Sequence, residues 1–262
     1  MLEIFAASET QVDEAEGAVP VPLGHQDCVG GLCCPALADD ETGTPFEPAL
    51  RLAAVAIAID SKKRVLLTRR PQTMRTFPGA WVLPGGSVDR TDPSIAAAAV
   101  RELEEETGLQ LSGQALARLP SLMCCWESCF PVSKEKWREA RAEGKRTSHY
   151  LIAYIVVEIS DQLLSTSSIQ LQPTECDCAC WVPLRDLAGV LGYSDGRTEG
   201  RAAQSYPCIA LDGSSTVDSW LLSGVYPNVA GEGVGRGHLW ALRELAAQLE
   251  ARRDERGRAG SP

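Results

Sequence analysis

The chain has 262 residues, 44% of them hydrophobic and 23% charged, enough to bury one sizeable core and to form one domain with extensions. Its net charge of −10 sits in the first fifty residues, which hold ten acidic residues and no Lys or Arg, while the remainder carries 25 of each sign. That distribution leaves a phosphate-rich substrate open for the remainder, whereas the absence of any run of about 18 apolar residues excludes a membrane-spanning helix.

The start, "MLEIFAASETQVDEAEG", is acidic where a signal peptide would be basic and then apolar, so a soluble, cytoplasmic protein is expected. Residues 1–48 are rich in acidic residues, Gly and Pro without a sustained period, and read as a flexible acidic tail. Within it, "HQDCVGGLCC" gathers His25, Cys28, Cys33 and Cys34, but the spacing matches no zinc framework. The ten cysteines include no C-x-x-C pair and read as reduced thiols.

A domain is expected over 49–190. "RLAAVAIAID" and "RVLLTRR", separated by "SKK", read as a β-hairpin, and "AWVLPGG" as a short third strand entering a glycine loop. "DPSIAAAAVRELEEETG" is a helix starting at Asp92 or Ser94 and stopped by Gly108. "PSLMCCWESC", "SHYLIAYIVVEIS" and "CDCACWVPL" supply three further strands, with Cys176, Cys178 and Cys180 on one face as packing residues. "KEKWREARAEGKR" carries six basic and three acidic residues at helical ion-pair spacing, a solvated face or, on the sharper reading, a landing site for phosphates or RNA. Residues 191–236 read as a Gly/Ser-rich irregular extension, 237–254 as an amphipathic helix with Leu239, Leu242, Ala246 and Leu249 in a stripe, and 255–262 as a disordered tail.

"RELEEETGL", Arg101 to Leu109, crowds four glutamates at a helix end whose dipole is already negative, each costing roughly 0.3–1 kcal/mol. Glu102, Glu105 and Glu106 fall at i, i+3 and i+4 on one face, and Glu104 points elsewhere, its side chain dispensable on this reading. Three aligned carboxylates behind a Gly-Gly loop ask for a cation, and an oxygen-only set favours Mg²⁺ or Mn²⁺ over zinc. Arg101, four residues before Glu105, can orient that carboxylate.

Here the chain resembles a known family. "GGSVDRTDPSIAAAAVRELEEETGL" is similar to the Nudix box, G-x5-E-x7-R-E-U-x-E-E-x-G-U, and its last nine positions match fully. "RTFPGAWVLPGG", "CCWESCFP", "TECDCACWVPL" and "GVGRGHLWAL" extend the likeness to the subgroup called nucleoside-diphosphate-linked moiety X motif 17. One departure stands out. The position of the first box Glu is Asp92 counted from Gly86 or Pro93 counted back from Arg101, so either Asp92 substitutes after a one-residue insertion or the acidic contact is lost.

The resemblance implies an α/β (α+β) Nudix fold, a mixed β-sheet sandwiched between helices. It implies hydrolysis of an acid anhydride: cleavage of the diphosphate bond in a nucleoside diphosphate linked to another moiety, by in-line attack of metal-activated water. The metal set would be Glu102, Glu105, Glu106 and the Gly86 carbonyl, the catalytic set Arg101 and those glutamates with Glu175, and the substrate-binding set Arg69, Arg70, Arg75 and Gly85. Glu127 is a weaker candidate for an extra acid, and His149 reads as a packing residue. The expected partner is a nucleotide-diphosphate small molecule, with capped RNA an alternative within the same chemistry, and neither DNA nor membrane. A Nudix-fold module that binds nucleotides without cleaving them is the alternative of another class, with the Asp92 irregularity as its support.

Overall fold

A computed structural model of the chain describes residues 21–25, 50–111, 115–131, 134–145, 147–166, 169–191, 204–219, 222 and 225–259. The elements begin with β1 (Leu23–His25), β2 (Arg51–Ile59), β3 (Arg64–Arg69), β4 (Trp81–Val82), β5 (Gly85–Ser87), α1 (Ile95–Thr107) and β6 (Ser121–Phe130). There follow α2 (Lys134–Ala142), β7 (Ser148–Glu158), α3 (Asp161–Thr166), β8 (Cys178–Pro183), α4 (Leu184–Leu191), β9 (Ser205–Ala210), β10 (Thr216–Asp218) and α5 (Arg236–Ala259). The strands make a mixed sheet in the order β1-β6-β7-β2-β3-β8-β9-β10, with β4 added to β3 and β5 to β2. The expected β2–β3 hairpin forms, and β2 also runs parallel to β7 from Arg51↔Tyr150 to Ile59↔Glu158.

Strand β2 shows why helices cover both faces. Its side chains alternate in size as well as direction. Ala54, Ala56 and Ala58 face α1, which answers with Ala98, Ala99 and Leu103, so small residues on both sides bring the helix close to the sheet. Val55, Ile57 and Ile59 face the opposite layer, where Trp81, Tyr154 and α4 and α5 residues such as Leu187, Leu239, Leu242 and Leu245 fill the space. The sheet therefore lies between helices, in the α/β arrangement expected from the sequence.

Helix α1 starts at Ser94, whose hydroxyl accepts from the Ala97 N–H at 3.1 Å. It stops at Gly108, left-handed at φ 68°, whose N–H donates to the Glu104 carbonyl at 2.8 Å. Glu104 corrects its expected dispensability: its carboxylate accepts from the Leu111 N–H at 2.6 Å and ties down the chain leaving the helix. A hydrogen bond to a charged, part-buried acceptor contributes about 1.5–3 kcal/mol. Glu104→Ala is therefore expected to lower unfolding free energy by that amount in a urea titration while leaving turnover by the folded fraction intact.

Three expected boundaries shift. Inside the 1–48 tail, Leu23–His25 form an edge strand parallel to β6, fixed by the Cys125 N–H donating to the Pro22 carbonyl at 2.9 Å. The 191–236 extension is not irregular throughout, because β9 pairs with β8 and β10 folds back on β9. The last helix continues through 254 to Ala259, since "RRDER" offers helix formers with no stop signal. In α2, Trp137 and Ala140 are buried and the charged residues between them face out, an amphipathic packing helix. Cys176, Cys178 and Cys180 are all buried, but they do not share one face: Cys178 and Cys180 pack in the layer opposite α1, while Cys176, before β8, turns to the Glu106 carbonyl, and burial pushes its thiol up to about 12. Cys28, Cys33 and Cys34 lie outside the described residues. Among those described, no helix is long and apolar enough to cross a membrane.

Candidate metal centre

The glycine loop and α1 meet because neither glycine has a side chain. A Cβ on Gly85 would lie 2.5 Å from the Ala54 carbonyl oxygen, and one on Gly86 would lie 2.6 Å from the Glu102 carboxyl group. Pairing of β5 with β2 sets the Gly85 N–H against Glu106 Oε1, to which it donates at 2.9 Å, while Thr68 Oγ1 of β3 donates to Glu106 Oε2 at 3.2 Å. Glu106 is 6% exposed. Burial first, with the nearby charges of Glu175 and Glu102 adding to it against the Gly85 and Thr68 bonds, pushes its carboxyl up to about 8.

Glu175 arrives by a different route. The last carbonyls of α1 have no partner within the helix. The loop before β8 supplies them: Gln172 N–H and the Cys176 thiol donate to the Glu106 carbonyl at 3.0 and 3.2 Å, and Gln170 N–H to the Thr107 carbonyl at 2.7 Å. Capping the helix in this way delivers Glu175 to the cluster. Potential ligand oxygens of Glu102, Glu106 and Glu175 all lie within 4.8 Å of one another. Three carboxylates that close repel one another and suit a hard divalent cation, whose binding must displace the proton from Glu106.

The sign of the pH dependence follows. The folded, metal-free chain keeps the Glu106 proton up to about pH 8, whereas an ordinary glutamate loses it near 4.5. Between those limits the folded state binds more protons than the unfolded one, so apo stability falls as pH rises through the window. Metal binding there should release close to one proton, read by calorimetry in buffers of different ionisation enthalpy, and the release should vanish in Glu106→Gln.

Arg101 organises the remaining acids. Its Nε and Nη2 donate to the two Asp92 oxygens at 2.9 and 3.0 Å, its Nη1 to Glu102 and Glu105 at 2.9 and 3.0 Å, and its Nη2 to the Ser87 carbonyl at 3.2 Å. Asp92 thus takes the guanidinium fork, which holds its carboxyl below the usual range, and the acidic contact of the irregular box is retained. Glu105 does not join the 4.8 Å group. Its side chain is 53% exposed and turned onto Arg101.

The expected phosphate-binding residues divide. Arg69 is engaged elsewhere: it bonds Asp177 at 2.7 Å, approaches Glu232 at 3.5 Å and lies over the Trp81 ring, in the layer opposite α1. Arg70, two residues beyond Thr68, has its guanidinium held by the Thr76 carbonyl and hydroxyl at 3.2 and 3.3 Å, and the charges of Glu106 and Glu175 favour its cation against its burial. Arg75 is exposed on the same loop, and the Gly85 amide is already bonded to Glu106. Glu127 lies apart, bonded to His149 Nε2 at 2.7 Å in a second buried group with Cys129. Sequence reasoning missed Thr68 and Cys176; nothing local marks them, since each acts through a contact between distant elements.

A mixed sheet whose glycine loop receives the glutamates of the following helix is the Nudix arrangement. The chain belongs to that family: the NUDIX domain model matches residues 49–202. Among curated proteins it is 32% identical over 190 residues to the m7GpppN-mRNA hydrolase NUDT17 of Danio rerio, an overlap covering 68% of this chain and 60% of that protein. It is also 32% identical over 166 residues to the Homo sapiens protein of that name, covering 62% and 47%. The chain thus spans 60% or less of the length of these two relatives. Among solved structures, a MutT/nudix family protein from Enterococcus faecalis is 16% identical with a TM-score of 0.42, over 77% of this chain and 62% of that one.

Proposed function

We propose that the chain is a divalent-cation-dependent hydrolase that cleaves the diphosphate bond of a nucleoside diphosphate linked to another moiety. The observation that carries this is the convergence of Glu102, Glu106 and Glu175 against the Gly85–Gly86 loop. The oxygen-only donor set and the raised Glu106 carboxyl fit Mg²⁺ or Mn²⁺, held by Glu102, Glu106 and Glu175, while Glu105 is paired with Arg101. Such an ion supplies neutralisation of the diphosphate charge and lowers the pKa of water.

The chain's own groups do the rest. Gly85 and Thr68 fix the Glu106 oxygens, and Arg101 holds Glu102 in place. Arg70 and Arg75 bind phosphate oxygens on the outer side. Glu175, exposed on its loop, accepts the proton of the attacking water. Capped RNA is the second substrate reading, supported by the name of the relatives that share 32% identity. The non-cleaving module loses its support, because Asp92 retains the contact with Arg101.

The test is a panel of nucleotide sugars, dinucleoside polyphosphates, coenzyme A derivatives and m7G-capped RNA, each with Mg²⁺ or Mn²⁺. Metal-dependent release of a nucleoside phosphate from one of them is expected. Binding without turnover across the panel would return the chain to the nucleotide-binding class.

A further inference from the structure

The loop from Arg70 to Ala80, which joins β3 to β4, ends on an aromatic residue that its own burial does not explain. Phe77 is 62% exposed, yet it adopts a left-handed φ of 52°, a region bulky residues rarely occupy. Two anchors hold it there. On one side Arg70, two residues beyond the Thr68 that bonds Glu106, is hydrogen-bonded to Thr76, the residue next to Phe77. On the other, Tyr226 donates its hydroxyl proton to the Pro78 carbonyl at 2.9 Å and meets the Phe77 ring edge to face, with centroids 5.9 Å apart at 79°. Tyr226 is itself fixed by its N–H to the Val234 carbonyl, and Val234 bridges to the buried Trp81 at the start of β4.

We infer that the exposed face of Phe77, braced by Tyr226, is the stacking platform for the nucleobase of the substrate. The inference rests on the proposed diphosphatase reading for where the phosphates lie. The geometry supports a planar aromatic ligand in particular. An edge-to-face partner leaves one ring face of Phe77 for stacking, the arrangement is held before binding, and the Arg70–Thr76 bonds tie it to the strand whose Thr68 bonds Glu106. Stacking tolerates any base, so the platform places a nucleobase without choosing its identity.

The test is equilibrium binding of AMP, GMP and ribose 5-phosphate to the full chain with Mg²⁺, together with hydrolysis of the diphosphate panel. Both nucleotides should bind about tenfold or more tighter than ribose 5-phosphate, the scale expected for stacking one base. Phe77→Leu, which keeps apolar bulk without a π face, should erase that preference and raise KM for the hydrolysed substrate, whereas Phe77→Trp should preserve both. Equal binding of nucleotides and ribose 5-phosphate, or an unchanged preference in Phe77→Leu, would overturn the inference. Failure of the diphosphatase reading looks different: no turnover of the panel, with the nucleotide preference and its loss in Phe77→Leu still present.

Discussion

Glu106→Gln should lower turnover of the best diphosphate substrate in saturating Mg²⁺ by at least about 100-fold, because loss of a group that merely supports a metal ligand already costs 10–100-fold. The substitution is nearly isosteric. Its amide oxygen can still accept from the Gly85 N–H, so the lost quantity is the ligand charge rather than the shape of the site. Stability should move the other way. Wild-type Glu106, buried beside Glu102 and Glu175, is uncomfortable as an anion, so at pH 8 the metal-free variant should melt above the metal-free wild type. Adding Mg²⁺ should then stabilise the wild type and leave the variant's melting temperature close to its metal-free value. Steady-state kinetics and thermal melts with and without Mg²⁺ check both halves. Turnover within tenfold of wild type would mean that Glu106 is not a metal ligand.

Arg101→Ala should cost about 10–100-fold in kcat/KM, and Arg101→Lys should recover little of it. The guanidinium bonds both oxygens of Asp92, both Glu102 and Glu105, and the Ser87 carbonyl, a planar fork that an ammonium cannot reproduce. Removing it also leaves like charges facing one another near the centre. Because the Asp92 carboxylate reaches the acids through Arg101, its other bond being a local one from the Asp89 N–H, the double variant Asp92→Asn/Arg101→Ala should be scarcely worse in turnover than Arg101→Ala alone. Additive losses would mean that Asp92 has a separate task. In the irregular box α1 is capped by Ser94, which leaves the Asp92 carboxylate for the arginine.

Local chemistry made much of this readable from sequence. The α1 helix was visible in its alanines and its Gly108 stop, the β2–β3 hairpin in two apolar runs, and the metal-type acids in their i, i+3, i+4 spacing. What escaped depends on contacts between distant elements. Glu105 and Glu106 are neighbours in sequence and share the spacing that suggested ligation, yet one is turned onto Arg101 and the other buried under β3 and β5. Arg69 and Arg70 are adjacent as well, but Arg69 ends β3 paired with Asp177 and Glu232, while Arg70, just past the strand, is held by Thr76 of the following loop. Glu175 was suggested by its position near a strand start, but the reason it reaches the site, the capping of α1 by its loop, depends on carbonyls of Glu106 and Thr107 that are distant in sequence and meet the loop only once the chain is folded. Strand β1 is three residues long and carries no periodic signal at all.

The central claim is that Glu102, Glu106 and Glu175 share a divalent cation. Mn²⁺ titration followed by electron paramagnetic resonance, on wild type, Glu106→Gln, Glu175→Gln and Glu104→Ala, tests it without needing the substrate. Loss of binding by at least about tenfold in the first two variants, with Glu104→Ala like wild type, is the predicted result. Equal Mn²⁺ affinity in all four proteins would contradict it.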